Sequence, residues 1–485
     1  MSNEDIASLN DSNSLLKVGG MYKDWFLDYA SYVILERAVP DLFDGLKPVQ
    51  RRILHSMNTL EDGRYNKVAN IVGTTMQFHP HGDASISDAI IQLGQKDLLI
   101  DMQGNWGNIY TGDKAAASRY IEARLSKFAL EVVFNSKTTK WQLSYDGRKK
   151  EPIHLPIKFP LLLAQGAEGI AVGLSTKILP HNFNELINSS IKHLNGKRFK
   201  LYPDFQTGGF VDIKNYNDGN RGGRIKVRGK LEKLDKNSII IKEIPYGTTT
   251  ASVIESIIKA SDKGKIKLKR IEDNTSSNVE IIVYLKAGSS VSKSIDALYA
   301  FSQCEVSISP LSCIISNNKP EFIGVSEILK TSTENTRELL KEELQIELEE
   351  LNNQWHNISL EKIFIENRIY RDIEDKTSWE LVLSSIEEGL KPYIKKLKKD
   401  VSLDDIKKLT EIPIKKISKF DLNKVNEKLK NINVNIEEVK NNLDHLTDYT
   451  IKYFEYLKKE YGQDKKRKTK VQEFDDLDKK DISIK

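Results

Sequence analysis

Cysteine is almost missing from this 485-residue chain; Cys304 and Cys313 are the whole supply. Two thiols cannot build a disulfide framework or a multi-thiolate metal site, and they suit a reducing compartment. Long apolar runs are missing too. No stretch reaches the roughly 18 residues needed to span a bilayer. The N-terminus, Met1-Ser-Asn-Glu-Asp-Ile6, has neither the basic start nor the apolar segment of a secretory signal. These absences exclude membrane and secreted classes and predict a cytoplasmic protein. There is no glycine-rich ATP loop and no metal-ligand cluster, so no metal site is expected in this chain. Charge of one sign is also scarce. A net charge of +5 permits a nucleic-acid partner only if the positive residues are clustered.

What is present is enough for a large soluble fold. The chain is 39% hydrophobic and 29% charged, a balance that implies a real core with much exposed helix. Its length predicts about three domains. Residues 1–20 are rich in Ser, Asn, Asp and Gly and read as a flexible arm. Residues 21–150 form a first domain. A helix over Tyr22–Leu35 is followed by breakers around Pro40 and Gly45, then by a helix from Pro48, a favoured first helical position. A short helix over 68–77 precedes the turn Phe78-His-Pro-His-Gly-Asp83, with Asp83 as the expected N-cap of the next helix. Short helices joined by a tight turn suggest helix-turn-helix geometry, and the glycine-rich 102–113 segment suggests a wing or loop.

Residues 151–328 read as α+β, with prolines forcing extended chain near 153–160 and strand-like runs at 225–230 and 279–285. Lys263, Lys265, Lys267, Lys269 and Arg270 alternate with apolar residues. That pattern fits either a nucleic-acid-facing strand or an ordinary solvated sheet face. Residues 329–462 carry the strongest periodicity. Leu422, Val425, Leu429, Ile432, Ile436, Val439, Leu443 and Leu446 follow alternating steps of three and four, and Leu340, Leu344, Leu348, Leu351, Trp355 and Ile358 mark an earlier stripe. The expectation is an antiparallel coiled-coil arm roughly 50 Å long, with a small globular tip at about 376–420. Residues 463–485, a basic then an acidic block, read as a disordered tail. The fold class is therefore α+β multidomain.

The chemistry concentrates in Ala115-Ala-Ala-Ser-Arg-Tyr-Ile-Glu-Ala-Arg124. A tyrosine hydroxyl can attack phosphorus, but a phenol is mostly protonated at neutral pH and weak. Arg119 beside Tyr120 supplies a permanent cation that stabilises charge on five-coordinate phosphorus. His79 and His81 can hydrogen-bond phosphate oxygens or move the proton. Arg37, Lys47 and Arg51 add charge for a duplex backbone. Alone, an Arg-Tyr pair is weak as a motif, and the His-x-His pair is equally open to a structural or metal role.

The combination is more specific. Arg37-Ala-Val-Pro-Asp41, Asp44-Gly-Leu-Lys-Pro-Val-Gln-Arg-Arg52, Phe78-His-Pro-His-Gly-Asp83, Gln103-Gly-Asn-Trp-Gly107, Ala115-Ala-Ala-Ser-Arg-Tyr120, Gly169-Ile-Ala-Val-Gly173 and Pro180-His-Asn182 occur in this order. Together, and over about residues 21–465, they resemble the A subunit of bacterial type IIA DNA topoisomerases, of the topoisomerase IV kind more than the gyrase kind. The resemblance implies that Tyr120 forms a 5′-phosphotyrosine link in each DNA strand, with Arg119 stabilising the transition state. It implies DNA contacts at Lys47, His79 and His81, with Arg37 and Arg51 as further contacts, and a base-step wedge at Ile170. It makes the first domain a winged helix, the second a tower, and the arm's tip a helical C-gate dimer contact.

The resemblance places Mg²⁺ and ATP on a partner B subunit. The expected assembly is an A₂B₂ heterotetramer acting on double-stranded DNA, associated with the chromosome and not with membrane. Two departures stand out. Nothing resembling the family's C-terminal β-pinwheel or gyrase's basic box is found, which favours relaxation and decatenation over supercoiling. Ala84 stands where many relatives carry a serine that helps anchor quinolone drugs, while Asp88 keeps the nearby acid. A gyrase A subunit, or a non-catalytic architectural DNA-binding dimer, are the alternatives.

Overall fold

A computed structural model describes residues 20, 22–413, 417 and 421–475. The expected arm at 1–20, the end of the expected tip at 414–416 and 418–420, and the tail beyond 475 therefore lie outside the described residues, apart from Gly20. The chain divides into two units, with 337–452 forming one and the flanking residues the other.

The first unit opens with α1 (22–33), which widens into a π-helical turn over Ile34–Ala38. Then come α2 (Pro48–Thr59), β1 (Asn66–Lys67), α3 (Val68–Thr75) and α4 (Asp83–Gln95), followed by β2 (Ile100–Gln103), β3 (Glu122–Leu125) and α5 (Lys127–Val132). Pro48 starts α2, and the Gln50 side chain accepts the Lys47 amide at 2.9 Å. The N-cap of α4 is Gly82, not Asp83, which is instead the first helical residue; its carboxylate still favours the positive helix start. Strands β1, β3 and β2 form one antiparallel sheet. Along it Ile121, Ala123 and Leu125 point into the core while Glu122 and Arg124 point out, the period-two pattern of a half-buried strand.

The chain continues through the hairpin β4 (Trp141–Leu143) and β5 (Lys150–Pro152), α6 (Leu161–Gln165), the hairpin β6 (Ala167–Ile170) and β7 (Ser175–Ile178), and α7 (Phe183–Leu194). Next are β8 (Phe210–Asn215), β9 (Arg224–Arg228), β10 (Lys230–Lys233), β11 (Ser238–Glu243), α8 (Thr250–Asp262), β12 (Leu268–Asp273), β13 (Ile281–Leu285) and α9 (Val291–Phe301). β14 (Glu305–Ile308), β15 (Cys313–Ser316) and β16 (Lys319–Phe322) complete this stretch. One apolar core runs from Leu46 to Val227 without a break at residue 150, and takes in Ile308–Leu329, Phe454 and Leu457. A separate core packs α8 and α9 on the antiparallel sheet β10-β11-β13-β12 and contains Cys304.

Helix α10 (Val325–Glu366) starts in the first unit and ends in the second. There α11 (Trp379–Leu390) and α12 (Leu403–Thr410) pack around Phe364, Ile386 and Leu409. The heptad positions are carried by α13 (Leu422–Asp444) and α14 (Leu446–Tyr461), because His445 leaves helical geometry between them. Ile436 and Val439 are buried, and Val425, Leu429, Ile432 and Leu443 are half-buried, whereas Leu422 is exposed.

The expectation of a disordered tail is corrected over 463–475. Arg467 bonds both oxygens of Glu185 at 2.6 Å and the carbonyls of Tyr202 and Pro203 at 2.9 and 3.0 Å. Thr469 is fully buried, and β17 (Lys470–Val471) adds a parallel strand to β8. Charge density suggested solvation, but Arg467 meets Glu185 and backbone carbonyls, and Lys465 meets the Asp97 carbonyl at 3.0 Å.

Candidate active site

Tyr120 sits on a frame made by three elements. Its amide closes a turn onto the Ala117 carbonyl at 2.8 Å. The first two amides of α3, free of intrahelical partners as at any helix start, donate to Ile121 and Ser118 at 3.0 Å each. Ser118 Oγ lies 3.1 Å from Ser87 Oγ of α4. From the other side Gly104 (φ +94°) lets β2 turn directly beneath the Tyr120 carbonyl; a Cβ there would sit 3.3 Å from that oxygen. The ring itself projects outward, 67% exposed, and its hydroxyl has no hydrogen bond among the described residues. The Arg119 guanidinium lies over the ring, 4.6 Å from its centroid. This is an exposed phenol with a permanent cation in contact.

The histidines occupy the other end of α3. The His79 amide bonds the Thr75 carbonyl at 2.9 Å, extending the helix into the His-Pro-His turn. His79 is buried, with Nδ1 3.2 Å from Arg52 Nη1 and its ring 4.9 Å from that of His81. Burial first, then the nearby Arg52, His81 and Arg37, push its pKa down to about 4, so it is neutral at physiological pH. His81 is half-buried, and its Nε2 is 2.5 Å from the Tyr32 hydroxyl. Eight helical residues separate this pair from the Tyr120 turn, about 12 Å at helical rise. The structure therefore brings His79 and His81 together, and Arg119 with Tyr120, but makes no direct contact between the two pairs.

Lys47 and Ile170 belong to one feature. Lys47 Nζ donates to the Glu168 carbonyl at 2.6 Å, and burial lowers its pKa against the opposing Glu168 charge. Glu168 lies in β6, and Gly169 beside it presses on the Ala38 carbonyl so closely that any Cβ would clash, at 2.1 Å. Ile170 ends β6 with its side chain 84% exposed, at the tip of a hairpin whose turn needs Gly173 at φ +71°. Arg37 is exposed on the π-helical turn. Ala84 and Asp88 are exposed one turn apart on α4.

Arg51 does not join this surface. Its guanidinium forks onto Asp44 at 2.6 and 3.0 Å, with side-chain exposures of 11% and 0%. The same carboxylate accepts the amides of Leu46 and Leu155, both at 3.1 Å. The expected DNA contact is a structural ion pair, formed because Asp44 is buried and must be compensated. Arg52, by contrast, has no role that the sequence pattern suggests. It grips Glu151 of β5 at 2.7 and 3.1 Å while touching His79, and so fixes that ring. The adjacent arginines give no hint of which acid each one meets, since the acid that holds Arg52 is distant in sequence.

Among the described residues, no three His, Cys, Asp or Glu side chains group within reach of one metal ion. No helix among the described residues is long and apolar enough to cross a membrane.

Comparison with known proteins bears on what this surface does. The A subunit of DNA topoisomerase 4 from Borreliella burgdorferi is 42% identical over 463 residues, which cover 96% of this chain and 74% of that protein. The DNA gyrase A subunit of Buchnera aphidicola subsp. Baizongia pistaciae is 31% identical, covering 95% of this chain and 61% of its own length. That of Leptospira biflexa is 32% identical, covering 83% and 51%. The chain thus spans about three quarters of the first relative and half to three fifths of the other two. Residues 37–455 match the family described as the A subunit of DNA gyrase/topoisomerase IV. With most of its length aligned and its motifs in place, the chain belongs to the family of DNA gyrase and topoisomerase IV A subunits.

Proposed function

We propose that this chain is the DNA breakage-reunion subunit of a type II topoisomerase of the topoisomerase IV kind. The observation that carries the reading is the exposed Arg119-Tyr120 pair on a frame fixed from three sides. Tyr120 Oη attacks a backbone phosphorus, the bond to the 3′ oxygen breaks, and the 3′-hydroxyl leaves with a proton. Arg119 stabilises the charge on phosphorus. Because one phosphodiester replaces another, the reverse attack by the 3′-hydroxyl reseals the strand without a new energy source. Arg37, Lys47, His79 and His81 hold the duplex backbone, and Ile170 wedges between base steps to bend it.

Helices α2–α4 with the β1-β3-β2 sheet act as a winged helix, and the β10–β13 sheet with α8 and α9 as a tower. The long helices act as an antiparallel coiled-coil arm. Lys399 bonds Asn353 of α10 at 3.0 Å while Lys398 bonds Asn433 of α13 at 3.2 Å, and Tyr449 faces Glu343 and Glu347. Adjacent Lys398 and Lys399 thus bring Asn433 near Asn353, while Tyr449 on α14 lies near Glu343 and Glu347. Numbers rise along α10 as they fall along α14 and α13, the sense of an antiparallel arm. The α11–α12 core serves as the C-gate contact between two copies. Mg²⁺ and ATP belong to a B subunit in an A₂B₂ assembly acting on chromosomal DNA in the cytoplasm.

The test combines the chain with a cognate B subunit, Mg²⁺ and DNA, and traps protein-linked breaks with denaturant. Wild type should give them and Tyr120→Phe should not. Breaks persisting in Tyr120→Phe would remove the nucleophile assignment, and no breaks in wild type would favour a non-catalytic DNA-binding role. Supplying ATP with relaxed circles and with catenanes distinguishes the gyrase alternative, which the gyrase relatives keep in view.

A further inference from the structure

The loop before Tyr120 has a second attachment that its own fold does not need. Trp106 roots it: the ring is buried, Nε1 donates to the Gln103 carbonyl at 3.1 Å, and its carbonyl accepts from Gln95 at 2.8 Å. Beyond Trp106 the chain closes on itself. The Asn108 amide bonds the Asp113 carbonyl at 3.1 Å, the Gly112 amide returns to the Asn108 carbonyl at 2.9 Å, and the Asn108 side chain caps the Tyr110 amide at 2.8 Å. The Ala116 amide then reaches the Asn105 carbonyl at 2.9 Å, four residues before Tyr120. The loop is a stiff ring, so displacing its tip displaces its base.

That tip does not face solvent alone. The Tyr110 carbonyl accepts the Thr250 amide of α8 at 2.8 Å, and the Tyr110 ring packs on the second apolar core. Gly112, at φ +80°, fits so closely that a Cβ would lie 2.9 Å from Thr249 Cγ2. The second core is also joined to the first through the chain crossings near Gly229 and Cys304, whose amide and carbonyl bond each other at 2.9 Å, and through Glu243 of β11, whose carboxylate accepts the Gly209 amide at 2.5 Å. Of these links, the Tyr110–Gly112 docking is the one built from the same stretch of chain that ends in the nucleophile.

We propose that residues 107–113 are a positioning device that reports where the β10–β13 sheet and its helices lie and sets Arg119-Tyr120 accordingly. A duplex whose flanks engage the second core would thereby bring the tyrosine into its attacking position. This inference rests on the breakage-reunion reading. Neither Tyr110 nor Thr250 touches the reacting atoms; they act through the loop.

Thr250→Pro isolates the contact. Thr250 is the first residue of α8, where proline is tolerated because no intrahelical bond is lost, so the change removes the one amide that holds Tyr110. Thr250→Ala keeps that amide and is the control. Single-turnover cleavage is measured with Mg²⁺, saturating DNA and the B subunit, on duplexes of about 20 and about 40 base pairs, roughly 70 and 140 Å. In wild type and Thr250→Ala the longer duplex should cleave faster. In Thr250→Pro that gain should fall by roughly three- to tenfold, the factor carried by one net hydrogen bond, with DNA affinity unchanged. Loss of packing alone would slow both duplexes equally.

Gly112→Ala approaches the contact from the loop side should Thr250→Pro not fold. It should also lose the gain, and Gly112→Ala with Thr249→Ser, which deletes the opposing methyl, should recover part of it. A Thr250→Pro enzyme that keeps the full gain, or a wild type without one, overturns the proposal while leaving the function intact. A wild type that forms no protein-linked DNA overturns the functional reading itself.

Discussion

Replacing Arg51 should unfold the protein sooner and leave its grip on DNA unchanged. Asp44 is fully buried, and four hydrogen bonds end on its carboxylate, two from Arg51 and two from the amides of Leu46 and Leu155. Arg51→Ala leaves a buried carboxylate with the two amides alone. Removing one partner of a buried ion pair costs about 3–5 kcal/mol. At about 2 °C per kcal/mol for a body of this size, melting should fall by roughly 8 °C. Arg51→Lys keeps the charge but cannot fork, so its loss should lie in between. The assay pairs thermal melting with the salt dependence of DNA binding. Each phosphate contact contributes a slope of about 0.9 in a plot of log affinity against log salt. Arg51→Ala should keep the wild-type slope, and Lys47→Ala should lose about one contact's worth. An Arg51→Ala protein that melts within a degree of wild type but loses slope would refute the structural assignment and restore Arg51 to the DNA surface.

Stability should also depend on pH through two buried histidines. His79 and His181 both have pKa values pushed from 6.5 to about 4, chiefly by burial. Each is neutral when folded, so stability is full above about 6.5 and drains as pH falls from there to about 4, where the unfolded chain takes up protons first. His79→Asn should flatten part of that slope in urea titrations at stepped pH. Arg467→Ala should raise amide exchange at 469–472, where β17 meets β8; unchanged protection there would mean that the strap does not depend on this residue. Ile170→Ala should leave affinity for pre-bent DNA intact and reduce the bend induced in linear DNA, read by energy transfer between end labels. Ala84→Ser should raise the yield of quinolone-trapped cleavage complexes, and no change would remove this position from the drug site.

The sequence was informative where chemistry is local. The Arg119-Tyr120 dipeptide and the His79-Pro-His81 turn could be read because neighbours in sequence are neighbours in space. The heptad positions of α13 were legible for the same reason, although the break at His445 was not, since that residue leaves the apolar pattern intact. Long-range pairing was hidden. Arg51 and Arg52 look alike in the chain, and only Asp44 and Glu151 decide that one braces the core and the other braces His79. Residues 463–475 looked like a solvated charge block for want of any sign that Glu185 and the carbonyls near 202–203 were waiting for Arg467.

That strap bears on how the protein is made. The apolar core that frames Tyr120 includes Phe454 and Leu457, and its flank is completed by Thr469 and β17. Residues 337–452 intervene in the chain and form their own unit. During synthesis from the N-terminus, the ribosome must deliver that whole unit before the core around Tyr120 can close. The α11–α12 bundle can fold while the core that carries the tyrosine still lacks its last side. The surface that presents Tyr120 is thus finished only after residues 337–452 have been made.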